Sequence, residues 1–340
     1  MNSASQRKSA VRFISTMSFV VLLVTALTLL LSYAQFGRHT VASFALCQGV
    51  NSRLSAASRI FEPKLVLIGG SGVRRGVNAR IIAGELGVPT LNFGLQAALG
   101  PAIILHEAKK TLRPDDTALL LFEFNHFSYD QLTTVAIDYV YGCRRKYFSS
   151  GDLGDKLTFL FNVGPARVIK SLTFQPPKDR CLNCTEGEEL EPASGPISVG
   201  DVPLTETMFP PLSRDRKARM ALYRPITISV DRQSKGPEAI AEFVDWARAN
   251  SVNVIASWPN TVNFPEYKKS DGFKKIADFY RSLDVPMLGE PSIALLPLRF
   301  FYDTQYHLNI DGIVLRSRRL AIVLRRYIAS LTLATRTAKQ

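Results

Sequence analysis

The sequence predicts an α/β fold built on a central parallel β-sheet. Two observations carry this. Short, wholly apolar runs recur, each ending in glycine or amide residues, the pattern of strands buried on both faces. Stretches of helical periodicity separate them, in the order β, α, β, α, β, which implies parallel strands joined by crossover helices. The composition agrees: 340 residues, 46% hydrophobic and 21% charged, sit near globular averages and exclude wholesale disorder or a tiny disulfide scaffold.

The first element is a membrane segment. Residues 13–33 contain no ionisable side chain except Tyr33, and at about 1.5 Å per residue, about 20 residues cross the hydrocarbon core of a bilayer. Arg7, Lys8 and Arg12 precede it with no acidic residue among them, so residues 1–12 are expected in the cytoplasm and the remainder outside. A cleaved signal peptide competes, because Ser32-Tyr33-Ala34 offers small residues to a peptidase. The apolar run exceeds the roughly 7 to 15 residues of a signal core, which favours an uncleaved anchor. Either way the body is exported. Residues 34–62 read as a juxtamembrane linker or helix, and 63–340 as one extracytoplasmic domain.

Within that domain, Lys64-Leu-Val-Leu-Ile-Gly69 is the first strand, 78–86 a helix, 88–93 the second strand, 95–112 a helix and 117–124 the third strand. From 172 to 223 the pattern dissolves into Pro, Gly and acidic residues, an irregular insertion of the kind that forms lids or binding loops. Regular structure returns with a strand at 225–230, a helix at 237–250, a strand at 252–257, an amphipathic helix at 268–283 and a closing helix at 311–335.

The net charge of +13 suits an anionic surface. With no Cys/His finger spacing and no basic stretch interleaved with aromatics, nucleic acid is excluded in favour of membrane or polysaccharide. Cys47, Cys143, Cys181 and Cys184 form an even set in a compartment that permits disulfides. Cys181-Leu-Asn-Cys184 has C-x-x-C spacing, but no second pair or nearby His completes a zinc site, and the surrounding prolines do not fit a thioredoxin-like turn. A local Cys181–Cys184 staple is expected, with Cys47 and Cys143 free or paired. No metal and no cofactor are expected.

In an open parallel sheet, ligands bind beyond the carboxyl ends of the strands. Ser71 stands there, within Gly69-Gly70-Ser71-Gly72. The second strand ends at Asn92-Phe93-Gly94 and the third at Glu123-Phe124-Asn125-His126. Tyr302-Asp303-Thr304-Gln305-Tyr306-His307 precedes the last helix. A serine hydroxyl needs a base to become a nucleophile, His supplies one near neutral pH, and a carboxylate fixes the imidazole tautomer. Taken alone, the glycine-rich turn and the Asp303/His307 pair could equally be a turn and a helix cap. His126 is the rival base. Arg74 and Arg75 could bind an anionic substrate or be solvated turn residues, and Trp258 could stack on a sugar or fill the core.

In strand order and motif order, from about residue 64 to 320, the chain resembles the SGNH (GDSL-like) hydrolase superfamily. The likeness is to its membrane-anchored branch, which includes the D-alanine transfer protein of teichoic acids and alginate acetylation proteins. The resemblance implies a three-layer fold with a catalytic triad of Ser71, Asp303 and His307. It also implies an oxyanion hole from the Ser71 and Gly94 backbone N–H groups and the Asn125 amide, with Asn92 a competitor for the last. The family's Gly-Asp-Ser stands here as Gly70-Ser71 after Gly69, without the acidic neighbour, and Asp303 and His307 are four apart, one helical turn. The activity implied is that of an O-acyltransferase or carbohydrate esterase moving an acyl group, most simply acetyl, on an exported or cell-surface polysaccharide. A membrane-bound O-acyltransferase or a polysaccharide synthesis complex would be its partner. The alternative is a catalytically silent SGNH-like module that binds polysaccharide or scaffolds such a complex.

Overall fold

The computed structural model describes residues 3–130, 132–176, 198–201, 204 and 218–337. Cys181, Cys184 and most of the expected insertion at 172–223 lie outside the described residues. The chain divides into two compact units, residues 1–47 with 132–180, and residues 48–131 with 181–340. The stretch after residue 131, expected inside a single body, thus groups with the N-terminal segment.

In the first unit, α1 (Ser3–Tyr33) contains a stretch, Arg7–Tyr33, in which 18 consecutive residues reach a mean hydropathy of 2.4 with none of them buried. It is long and apolar enough to span a membrane. Helix α2 (Val41–Ala57) resolves the linker-or-helix alternative in favour of helix, and α6 (Thr134–Cys143), α7 (Arg145–Ser150), α8 (Leu153–Phe161) and α9 (Pro165–Leu172) follow in the later segment. A disulfide joins Cys47 to Cys143, 96 residues apart, a pairing that the close C-x-x-C spacing elsewhere does not suggest. Polar groups share the interior of this unit with Ile137, Tyr139, Val140, Tyr141 and Phe159. Arg167 donates to Gln35 Oε1 and to the Arg38 carbonyl, both at 2.9 Å, and forms an ion pair with Asp138 at 3.0 Å. Thr40 donates to Asp138 at 2.6 Å, and Ser171 to Gln35 at 2.7 Å.

The second unit is α/β. Its sheet has six strands, β1 (Leu65–Gly69), β2 (Thr90–Gly94), β3 (Thr117–Leu120), β4 (Ser198–Val199), β5 (Asn253–Ser257) and β7 (Met287–Leu288), in the order β4-β2-β1-β3-β5-β7. Every pairing is parallel. β6 (Thr261–Val262) and β8 (Leu295–Leu296) form a separate parallel pair. Residues of β1 and β2 are buried throughout, so these strands need apolar side chains on both faces, and their sequences supply them.

The path from β1 to β2 leaves in one direction and the path from β2 to β3 returns across β1, which puts the two crossover helices on opposite faces of the sheet. α4 (Ala79–Leu86) begins at Asn78, whose side chain accepts from Ile81 N. The helix expected at 95–112 is broken by Gly100 at φ +76° into Ala97–Leu99, α5 (Gly100–Ala108) and Lys109–Thr111. The later helices form close to their expected places, as α10 (Lys235–Ala249), α11 (Gly272–Ser282) and the closing α12 (Ile310–Thr337). Ile82 of α4 packs with Leu65, Leu67, Leu119, Leu320 and Leu324, the last two from α12. The third strand is shorter than expected because the chain turns at Glu123 into a 3₁₀ segment, Phe124–Ser128. No strand forms at 225–230. Pro225 has no N–H to give a ladder, and Ile226 N is held by the Tyr267 hydroxyl at 3.1 Å.

Candidate active site

The strand order reverses around β1, so the carboxyl ends of β1 and β3 flank the crevice where parallel sheets bind ligands. The register brings those ends level: Ile68 faces Phe93 on one side and Leu120 on the other. Ser71 opens a single helical turn, α3 (Ser71–Arg74), directly after β1 and is half-buried. Among the described residues its hydroxyl makes no hydrogen bond to the protein.

Glu123, fully buried just past β3, organises this turn. Its carboxylate accepts from Gly72 N at 2.7 Å and Gly70 N at 3.2 Å. The amides on either side of Ser71 therefore point inward at one anion, and the Ser71 N–H between them donates to no acceptor among the described residues. This explains the missing side chain at Gly70: a Cβ there would lie 2.5 Å from both Glu123 carboxylate oxygens. His126 Nδ1 stands 3.1 Å from Glu123 and its Nε2 lies 3.0 Å from the Ala97 carbonyl. Burial by itself would raise the Glu123 carboxyl, but His126 beside it and the Gly72 N–H outweigh burial and hold it below its usual value. His126, the rival base, is thus committed to Glu123 and Ala97 and has no exposed surface.

Asp303 and His307 come together as expected. Asp303 Oδ1 and His307 Nδ1 are 2.8 Å apart, and Nε2 makes no hydrogen bond among the described residues. The His307 turn is built by the Thr304 hydroxyl, which accepts from Tyr306 N and His307 N at 3.2 and 3.1 Å. Two bonds tie that turn to the nucleophile side. Leu308 N donates to the Arg75 carbonyl at 3.0 Å, so His307 is adjacent to a direct contact with the end of the Ser71 helix. Phe124 N donates to the Tyr306 hydroxyl at 3.2 Å, and burial holds that hydroxyl protonated.

Gly94 lies against the same helix, where a Cβ would be 2.2 Å from Arg74 N. Its own N–H donates to Asn92 Oδ1 at 3.0 Å, so an oxyanion could recruit it only by displacing that bond. Asn92 is fully buried, and its Nδ2 donates to the Val77 carbonyl at 2.8 Å and to Asp201 at 3.2 Å. It braces α3 from below. Asn125 is exposed, with a side chain that has no hydrogen bond among the described residues. Arg74 and Arg75 are half-buried on α3. Trp258 is buried, donates its indole N–H to the Gly289 carbonyl at 2.7 Å and meets Phe273 edge-on, so the core alternative holds for it.

Sequence reading misses Glu123 as a functional residue. Its only signal is an acidic residue at the end of the third apolar run, opposite a serine turn that lacks an acidic neighbour of its own. Among the described residues no cluster of His, Cys, Asp and Glu could hold a metal ion. No protein-family model matches the chain, and no curated protein matches it.

Proposed function

We propose that the chain is a serine-dependent acyl-transfer enzyme of the SGNH type, anchored by α1 and acting on the outer side of a bacterial cytoplasmic membrane. The observation that carries this is the Asp303–His307 bond at 2.8 Å, with Nε2 left unbonded one residue from the contact to the Ser71 helix. In the reaction Ser71 Oγ would attack an ester carbonyl as His307 Nε2 takes its proton. The Ser71 N–H, with the exposed Asn125 amide, would face the developing oxyanion. His307 would then return the proton to the leaving alcohol, and the acyl group on Ser71 would pass to a sugar hydroxyl or to water. The substrate class is an O-acyl, most simply O-acetyl, polysaccharide, with a membrane-bound O-acyltransferase or polysaccharide synthesis complex as partner.

An uncleaved anchor is supported by the end of α1. The candidate peptidase site is built into the fold: Ser32 donates to the Leu160 carbonyl at 2.7 Å, and Gln35 is buried against Arg167 and Ser171. Two observations favour the catalytically silent alternative, a polysaccharide-binding or scaffolding module: the Gly94 N–H is engaged by Asn92, and Ser71 and His307 share no hydrogen bond. A fluorophosphonate probe separates the readings. The enzyme reading expects covalent labelling at Ser71 that Ser71→Ala or His307→Ala each reduce by orders of magnitude, with the double variant little worse than either. A folded protein that takes no label sinks it.

A further inference from the structure

The first unit, residues 1–47 with 132–180, buries Ile137, Tyr139, Val140, Tyr141 and Phe159, yet two of its helices turn apolar side chains outward. In α9 two polar residues face inward while Lys170 stays exposed: Arg167 and Ser171, one turn apart, are 8% and 9% exposed and hold Gln35, the Arg38 carbonyl and Asp138. Its apolar residues face outward, with Ile169 at 62% and Leu172 at 64% exposure. Helix α8 also turns an apolar face outward. Leu153, Leu157 and Phe161 recur every fourth residue on one face and are 73%, 41% and 53% exposed, while Phe159 packs inward.

A protein surface in water scatters single apolar residues and does not line two successive helices with them while burying an arginine and a glutamine. Polar groups inside and apolar groups outside is the arrangement imposed by lipid. These helices join a segment able to enter lipid, since the Leu160 carbonyl of α8 accepts from Ser32 near the end of α1. An aromatic and cationic collar marks the same level. Arg145 lies over the rings of Tyr33 and Phe36 at 4.9 and 5.9 Å, and Phe36 stacks on Tyr141 at 4.3 Å. Tyrosines and long basic side chains at the end of a span are the usual residents of the bilayer interface.

We infer that the outward face of α8 and α9 (Leu153, Leu157, Phe161, Ile169 and Leu172) lies in the interfacial region of the bilayer that α1 crosses. The inference rests on the reading that α1 spans. The occupant is lipid. Arg145 and Lys146 of α7, Lys156 of α8, and Arg144 just before α7 favour anionic headgroups. An apolar helix face at this level sinks about 5–10 Å into the headgroup and acyl boundary.

The test uses the full chain in phosphatidylglycerol-containing vesicles whose phosphatidylcholine is brominated near the headgroup end of its acyl chains. Tryptophan is introduced singly by Phe161→Trp or Ile169→Trp, with Lys274→Trp as an aqueous control and Leu23→Trp as a control within α1. Emission of the unsubstituted protein, from Trp246 and Trp258, is subtracted. At the depth expected for an interfacial helix, about half of the added emission at 161 and 169 is quenched and that at 274 is not. Quenching at 23 without quenching at 161 or 169 overturns the inference and leaves the span standing; no quenching at 23 overturns the span as well. A photo-crosslinker at 169 that forms a protein adduct in cells would assign the face to a protein partner and also overturn it.

Discussion

Replacing Glu123 by glutamine separates a positioning carboxylate from a merely buried one. The glutamine keeps the volume but presents one oxygen and one NH₂, so it cannot accept from both Gly70 N and Gly72 N, bonds of 3.2 and 2.7 Å in the folded chain. One glycine amide would then face another donor. The contact with His126 at 3.1 Å also loses its anion, in a site with no access to water. A hydrogen bond to a charged group is worth about 1.5–3 kcal/mol and a buried donor left without an acceptor costs about 1–3 kcal/mol, so the substitution should cost about 3–5 kcal/mol. The assay is denaturant unfolding of the full chain in detergent, followed by signals from the sheet unit, with the rate of fluorophosphonate labelling at Ser71 measured under native conditions. The pH dependence has a definite sign. Glu123 titrates below its ordinary 4.5 in the folded state, so its contribution is present above about 4.5 and fades as pH falls through the lower folded value. The difference between parent and Glu123→Gln should therefore be full at pH 7 and shrink in acid. A difference that is absent at pH 7, or that persists unchanged into acid, would refute the assignment, as would unaltered labelling of Ser71.

Gly94→Ala drives a methyl group to within 2.2 Å of Arg74 N, backbone against backbone; it should destabilise the chain by about 1–3 kcal/mol and slow labelling of Ser71, which thermal melts and probe kinetics would show. Asp116→Ala leaves Lys64 buried without its partner at 2.6 Å and should cost about 3–5 kcal/mol, yet labelling well below the melting temperature should be unchanged, because this pair lies at the opposite end of β1 from Ser71. Cys47→Ser should lower stability by about 2–4 kcal/mol, and peptide mapping of the parent without reductant should recover Cys47 linked to Cys143.

Where a few neighbouring residues decide the structure, the sequence is readable. The apolar runs at β1, β2, β3 and β5 form strands, and the spacing of Asp303 and His307 puts both on one turn. Glu123 is not readable, because its partners Gly70 and Gly72 are 53 and 51 residues away and only the register of β1 with β3 brings them together. The Cys47–Cys143 bond, spanning 96 residues, escapes for the same reason. The four helices between 134 and 172 escape for another. In α8 and α9, Leu153, Leu157, Phe161, Ile169 and Leu172 are exposed while Arg167 and Ser171 are buried, so a pattern read for a water-facing surface points the wrong way. Ile226 shows a third limit, since an apolar run with strand propensity is claimed by a single tyrosine hydroxyl.

The sulfur bridge closes residues 47 to 143 into a covalent ring. Ser71, Gly94, Glu123 and His126 are all members of it, and Asp303 and His307 are not. A single protease nick within the ring leaves the polypeptide in one piece until a reductant is added. In the denatured chain the ring also shortens the search by which Ser71 finds Glu123, both of them inside it, whereas the search by which His307 finds Ser71 runs mostly over the open chain after Cys143 and is shortened proportionally less. Thiol reduction should thus slow assembly of the nucleophile turn more than delivery of the base, a division of the site into a tethered half and an untethered half.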